Sequence, residues 1–222
     1  MNLENSTAMD QKPLDADIVC TGFGPAMGGF LTTLTRGLAE AGEQAPESRA
    51  MPGLPPQVLC YERADDIGFG VSGVVTRGRA IKASFPQLDV EEVPMAARVT
   101  DEKLVYLLDP IGASRRPALM KLAEQVFRAL SGVLHVEEHG FALPYCPDFL
   151  HKKDGFIFSL GQFNQWVGQQ VMMTGMAQIW PMTPVAGPLM EDGKVAGVVL
   201  AADGTEVRAA LTVVGDGAGG QV

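Results

Sequence analysis

The chain has 222 residues, enough for one ordinary domain with its own core. A formal charge of −9 and a pI near 4.8 leave no excess of basic residues for a phosphate backbone, so nucleic acid is not expected as a partner. Hydrophobic residues make up 46%, too many for a disordered chain, and no apolar run approaches the ~20 residues of a membrane span.

Residues 1–16 are polar and acidic with no apolar centre, and read as a disordered leader rather than a secretory signal. The domain proper is then 17–222. The three cysteines, Cys20, Cys60 and Cys146, are far apart in sequence. That spacing gives neither a zinc site nor an iron–sulfur cluster, and it suits a reducing, cytoplasmic setting better than a disulfide scaffold.

Taken in chain order, residues 17–21 (DIVCT) form a short apolar run ending at a glycine, the mark of a buried strand. After the turn, Met27, Phe30, Leu31, Leu34 and Leu38 recur at helical spacing, and Gly42 ends the helix. Residues 43–56 are rich in proline and alanine without a period and read as a surface loop. QVLCYE, 57–62, is a second strand ending in an acid. The stretch 63–114 is irregular: IGFGVSGVV reads as loop and KLVYLLD as a strand. Residues 115–132 predict an amphipathic helix with Leu119, Leu122, Val126 and Leu130 on one face. A proline-marked loop (141–155), a strand FIFSL and a helix with Phe163, Trp166, Val167 and Val171 inward follow. The last part reads as short strands joined by turns at Asp192-Gly193 and Asp203-Gly204.

HVEEH, 135–139, fits a His-x-x-Glu-His zinc pattern. That chemistry needs a continuing helix, and glycines at 132 and 140 bracket the segment. It reads as a solvated polar turn, and no metal is assigned.

The order strand, glycine turn, helix, loop, strand, acid is that of a mononucleotide-binding βαβ unit. Gly22 lets the chain turn sharply. Gly24 has no Cβ, so backbone can approach a pyrophosphate. Free N–H groups and the helix dipole favour its charge. Glu62 is placed to accept from a ribose diol. It lies further along than the usual ~20 residues, and the 43–56 loop accounts for the excess. Met27 stands where the pattern has its third glycine. Two readings are open for it: a core residue of a modified turn, or a cause of weakened cofactor affinity.

DIVCTGFGPAMGG, CYERADDIGFGVSGVV, FPQL, VTDEKLVYL, the block from FLHKKDG to QIWP, and VAGVVLAADGTEVRAALTVVGDG come in this order. Together they resemble the N-terminal FAD-binding half of the electron transfer flavoprotein–ubiquinone oxidoreductases, within the wider glutathione-reductase-like flavoproteins that include geranylgeranyl reductases and aromatic hydroxylases. The resemblance implies an α/β, Rossmann-like FAD/NAD(P)-binding domain with a parallel sheet and a small antiparallel meander, interrupted at 76–154 by an insert or partial substrate-side region.

It implies FAD as cofactor. The turn Gly22, Phe23, Gly24, Pro25, Ala26 and Met27 would surround the pyrophosphate. Glu62 would face the adenosine ribose, Arg63 matches the basic residue that follows this acid, and Ser72 and Gly73 would lie on the flavin side. Val185 would lie near the adenine, and Gly215, Asp216 and Gly217 would close the sheet. It also implies electron transfer flavoprotein and a quinone as partners, and peripheral contact with a membrane, with Phe69, Phe85 and Trp180 as patch candidates or core residues. Family members run further and carry iron–sulfur ligands that this sequence lacks. The expectation is therefore a fragment, a shortened product, or a subunit completed by another chain or domain. The implied activity is FAD-dependent electron transfer to quinone. A polyprenyl reductase or hydroxylase, and a non-catalytic remnant, stay open as alternatives.

Overall fold

The computed structural model describes residues 13–68, 73–86, 88–89, 92–108, 115–130 and 140–220. Its elements in order are β1 (Leu14–Thr21), α1 (Pro25–Ala41), β2 (Val58–Tyr61), β3 (Gly73–Thr76), α2 (Arg79–Ser84), β4 (Ala97–Arg98), β5 (Val105–Leu107), α3 (Ala118–Ala129), β6 (Gly140–Ala142), β7 (Phe156–Ser159), α4 (Leu160–Met173), β8 (Ala177–Trp180), β9 (Val185–Glu191), β10 (Lys194–Leu200) and β11 (Glu206–Val214). They form two compact units, one of which comprises Val75–Arg77 and Arg98–Phe156.

The larger unit is built on a six-stranded sheet of order β8-β2-β1-β11-β10-β9. The first four strands are mutually parallel, and β11, β10 and β9 form an antiparallel meander. Parallel neighbours need a crossover, and α1 supplies the one between β1 and β2. Val19, Cys20, Val58, Cys60, Val198 and Val207 are fully buried in this sheet. The Asp192-Gly193 turn joins β9 to β10 with both residues at positive φ (49° and 74°), the twist a two-residue hairpin requires.

The buried face of α1 differs from the one its apolar spacing predicts. Met27 and Leu31 are buried as expected, but Gly28, Thr32 and Thr35 complete the stripe, while Phe30, Leu34 and Leu38 are half-exposed. Burial of two threonines is possible because their hydroxyls donate within the helix, Thr32 to the Gly28 carbonyl (2.8 Å) and Thr35 to that of Leu31 (2.9 Å). On α4, Phe163, Val167 and Val171 are buried as the spacing implies. Phe163 and Trp166 stack, and Trp166 meets Phe85 at 5.0 Å. Phe85 and Trp180 are thus divided: the first sits in this aromatic cluster, and the second is half-exposed at the end of β8.

Asp17 fastens the 43–56 loop to the sheet. Its carboxylate accepts from the Gln57 amide (2.8 Å), the Ser48 hydroxyl (2.5 Å) and the amides of Arg49 (2.6 Å) and Ala50 (3.3 Å). Burial alone would raise its pKa, but these four donors outweigh burial and hold it below the usual carboxylate value.

In the smaller unit β5 and β6 form an antiparallel pair. Both strand ends differ from expectation: KLVYLLD contributes only three residues, and the proline-marked loop begins with a strand. IGFGVSGVV likewise ends in a strand, β3. The amphipathic helix forms as α3, but it is turned over. Leu119 (78% exposed), Leu122, Val126 and Leu130 face outward, and Glu124 is buried. A polar cluster explains the burial: Glu124 accepts from the Tyr106 hydroxyl at 3.1 Å and pairs with Arg116. β1 also starts three residues earlier than the apolar run, at Leu14.

Candidate functional site

The parallel strands carry their C-terminal ends to one side of the sheet, where α1 begins. The chain leaves β1 at Gly22 with φ of 75°, and a Cβ there would sit 2.7 Å from the Gly215 carbonyl oxygen. Only glycine suits that position. The Gly22 amide donates to the Tyr61 carbonyl (2.8 Å), and the Gly215 amide to that of Thr21 (2.8 Å). The Thr21 hydroxyl donates to Asp216 Oδ1 at 2.9 Å. These bonds tie the ends of β1, β2 and β11 into one rim.

Gly24 precedes α1 with φ of −105°, open to any residue, and a Cβ added there would meet no atom within 4 Å. Pro25 opens the helix, no side chain caps it, and its first turn holds no acidic residue. The amides of Ala26 and Met27 therefore have no intrahelical acceptor, and the helix dipole adds partial positive charge around them.

Glu62 follows β2 and turns back to this rim. Its Oε2 accepts the Phe23 amide at 2.6 Å, and its Oε1 accepts the Ala64 amide at 2.8 Å. A carboxylate offers roughly four lone-pair positions. One remains on each oxygen, the number a vicinal diol requires.

A cleft of about 430 Å³ lies over this rim, within the range of about 300–1,000 Å³ usual for small-molecule sites. Gly22, Phe23, Gly24, Pro25, Glu62, Arg63, Val185, Gly215, Asp216 and Gly217 all border it. Ala26 is exposed and does not border it, and neither does Gly73, which opens β3. Ser72, Phe69, His135 and His139 lie outside the described residues.

Met27 lies beneath the turn rather than in the cleft, with 2% of its surface exposed. Its terminal methyl is 2.9 Å from where a Cβ on Gly215 would stand. The glycine missing at 27 is thus compensated by one at 215 on the facing strand end. Close helix contact has moved one residue along, because a Cβ on Gly28 would lie 3.0 Å from Val167 Cγ1. Met27 is thus a core residue of the modified turn.

Thr21, Tyr61 and Asn164 are among the bordering residues that were not singled out from the sequence. Asn164 had a legible signal. It is a buried polar side chain sharing a helical face with Gly161, Val167 and Gly168. Thr21 is legible only through its bond to Asp216, which lies 195 residues away in the chain. Among the described residues, no group of three His, Cys, Asp or Glu side chains could hold a metal ion, and no helix is long and apolar enough to cross a membrane.

No family model matches the chain. An electron transfer flavoprotein-ubiquinone oxidoreductase from Pseudomonas aeruginosa is 24% identical over 231 residues, covering 96% of this chain and 35% of its own length. A geranylgeranyl bacteriochlorophyll reductase-like protein from Thermoplasma acidophilum superposes over 92% of this chain and 40% of its own, at 17% identity and a TM-score of 0.50. The fold is the Rossmann-like α/β dinucleotide-binding type. PqsL from Pseudomonas aeruginosa, in complex with 2-aminobenzoylacetate, covers 89% of this chain and 42% of its own at 14% identity and a TM-score of 0.49. The chain therefore spans little more than a third of the curated relative it matches.

Proposed function

We propose that this cleft holds the ADP portion of FAD and that the chain is the cofactor-binding part of a flavin-dependent oxidoreductase. The observation that carries the reading is the convergence at one rim of the uncapped start of α1, the open space at Gly24 and the two remaining acceptor positions of Glu62. The pyrophosphate would lie across Gly24 and Pro25, at the uncapped start of α1, where charge and close backbone approach are both available. Glu62 would take the ribose diol, with Arg63 beside it. Val185 would border the adenine. Asp216 and Gly217 would face the middle of the cofactor, with Asp216 oriented by Thr21.

When bound, FAD supplies the redox chemistry; the chain's own residues supply binding, orientation and charge. Buried Tyr61 and Phe23 form the apolar side of the rim. The choice of FAD over a nicotinamide dinucleotide is supported by the sequence resemblance and by the flavoprotein-ubiquinone oxidoreductase among its relatives. The same relative supports a finer reading: electrons pass from an electron transfer flavoprotein through the flavin towards a quinone, at the periphery of a membrane. A second reading keeps the cofactor and changes the acceptor to a polyprenyl chain, and is supported by the reductase-like structural neighbour.

The test is a comparison of dinucleotide and mononucleotide. Flavin fluorescence titrations with FAD and FMN, and calorimetric titration with NAD, would be run on the 222-residue chain. The reading expects FAD to bind and ADP to compete with it, while FMN, which lacks the adenosine half, binds far more weakly. Equal affinity for FMN and FAD, or no competition by ADP, would overturn it.

A further inference from the structure

Asn164 is a buried polar side chain without a bond. It stands on α4 with 8% of its surface exposed. Among the described residues its side-chain amide has no hydrogen-bond partner. The Thr212 hydroxyl also lacks one, but it is sealed from solvent. The Asn164 amide is not sealed, and Asn164 borders the cleft. Its partner must therefore come through the cleft. A buried amide left unpaired costs the fold free energy, so its presence calls for a reason.

Helix packing sets Asn164 level with the glycine turn. α1 and α4 both begin at the cleft, which Pro25 and Leu160 border, so they run in the same direction. They meet where a Cβ on Gly28 would lie 3.0 Å from Val167 Cγ1, and where one on Gly168 would lie 3.4 Å from Phe23 Cε1. One helical turn nearer the cleft stand Gly24 and Pro25 on the α1 side and Asn164 on α4.

The neighbours of Asn164 crowd it but do not bond it. A Cβ on Gly161 would sit 2.5 Å from the Gly68 carbonyl oxygen, and one on Gly168 would sit 2.5 Å from Ile67 Cδ1. The loop at 66–68 thus lies against the glycines one turn before and one turn after Asn164. Gln165 Nε2 donates to Asp66 Oδ2 at 2.5 Å and fastens that loop to α4. Asn164 takes no share in the fastening.

The charge around the cleft says what an amide is good for there. Among the described lining residues, Glu62, Asp66 and Asp216 are acidic and Arg63 alone is basic. A dinucleotide pyrophosphate adds negative charge to that balance, so its oxygens depend on neutral donors. The start of α1 offers backbone amides on one flank. Asn164 Nδ2 offers a side-chain donor on the other.

We propose that Asn164 is a cofactor-binding residue that donates from Nδ2 to a phosphate oxygen of the bound dinucleotide. This rests on the cofactor assignment above. Asn164→Leu tests it, because leucine fills nearly the same volume without the amide. Calorimetric titration with ADP, NMR shift titration with adenosine, and urea unfolding would be run on the parent chain and the variant. ADP should bind the variant about tenfold or more weakly, while adenosine, which has no phosphate, should bind within about twofold of the parent. The urea midpoint should stay or rise, since an unpaired buried amide is removed. Equal ADP affinity in parent and variant would overturn the proposal and leave the cofactor assignment standing. Parallel loss of ADP and adenosine binding with a lowered urea midpoint would overturn it by making Asn164 a structural residue. A parent chain that binds neither ligand would overturn the cofactor assignment and this proposal with it.

Discussion

Gly24→Val separates binding from folding. The Gly24 backbone, at φ −105°, suits any L-residue, and an added Cβ meets nothing within 4 Å. The folded chain has room for the side chain. Its only cost is a poorer helix cap, under about 1 kcal/mol. In the proposed complex that room belongs to the pyrophosphate. The valine would hold phosphate oxygens away from the amides at the start of α1. Loss of two charge-assisted hydrogen bonds at about 1.5–3 kcal/mol each gives at least 3 kcal/mol, roughly a hundredfold weaker binding. Gly22→Ala is the counterpart. Its Cβ meets the Gly215 carbonyl at 2.7 Å with φ of 75°, so it destabilises the fold by about 2 kcal/mol or more before any ligand is added. Urea unfolding and FAD titration on both variants supply the readouts. The reasoning fails if Gly24→Val binds FAD as tightly as the parent chain, or if it unfolds as readily as Gly22→Ala.

Four other outcomes follow from the same geometry. Glu62→Ala removes the acceptor for the Phe23 and Ala64 amides and should lower stability by about 2–3 kcal/mol in urea, even without ligand. Asp17 has a depressed pKa in the folded chain, so its contribution is present above the unfolded value near 4 and is lost as pH falls through the lower folded value; urea midpoints measured from pH 6 to pH 2 should fall less steeply in Asp17→Asn. Met27→Ala should cost about 2–4 kcal/mol by leaving a cavity, and Gly215→Ala should cost stability by crowding the Met27 methyl; the double variant should be more stable than the sum of the two predicts, and strict additivity in thermal unfolding would refute their contact. Burial pushes the Cys20 thiol up to about 12 and raises Cys60 as well, so a thiol reagent at pH 8 should label Cys146 rapidly and the other two only on unfolding.

The βαβ order was legible because its signals are local: an apolar run, glycines, a helical period, then a second apolar run and an acid. Glu62 was legible for the same reason, since it stands at a strand end. What stayed hidden depends on distant partners. The face of α1 rotated towards Gly28, Thr32 and Thr35 because contact with Val167 of α4 selects small residues, and threonine can satisfy its own hydroxyl within a helix. α3 turned its apolar stripe outward because Glu124 found Tyr106 and Arg116, a preference no single-helix period reports. The contact of Met27 with Gly215 was hidden because the two positions are 188 apart in the sequence and meet only in the folded sheet.

The visible absorbance spectrum of the purified 222-residue chain, with identification of any flavin released on denaturation, addresses the cleft assignment most directly. The account predicts a flavin spectrum, either as purified or after added FAD, with release of FAD rather than FMN and loss of the signal in Gly24→Val. A folded, colourless chain that takes up no FAD at high concentration would contradict it.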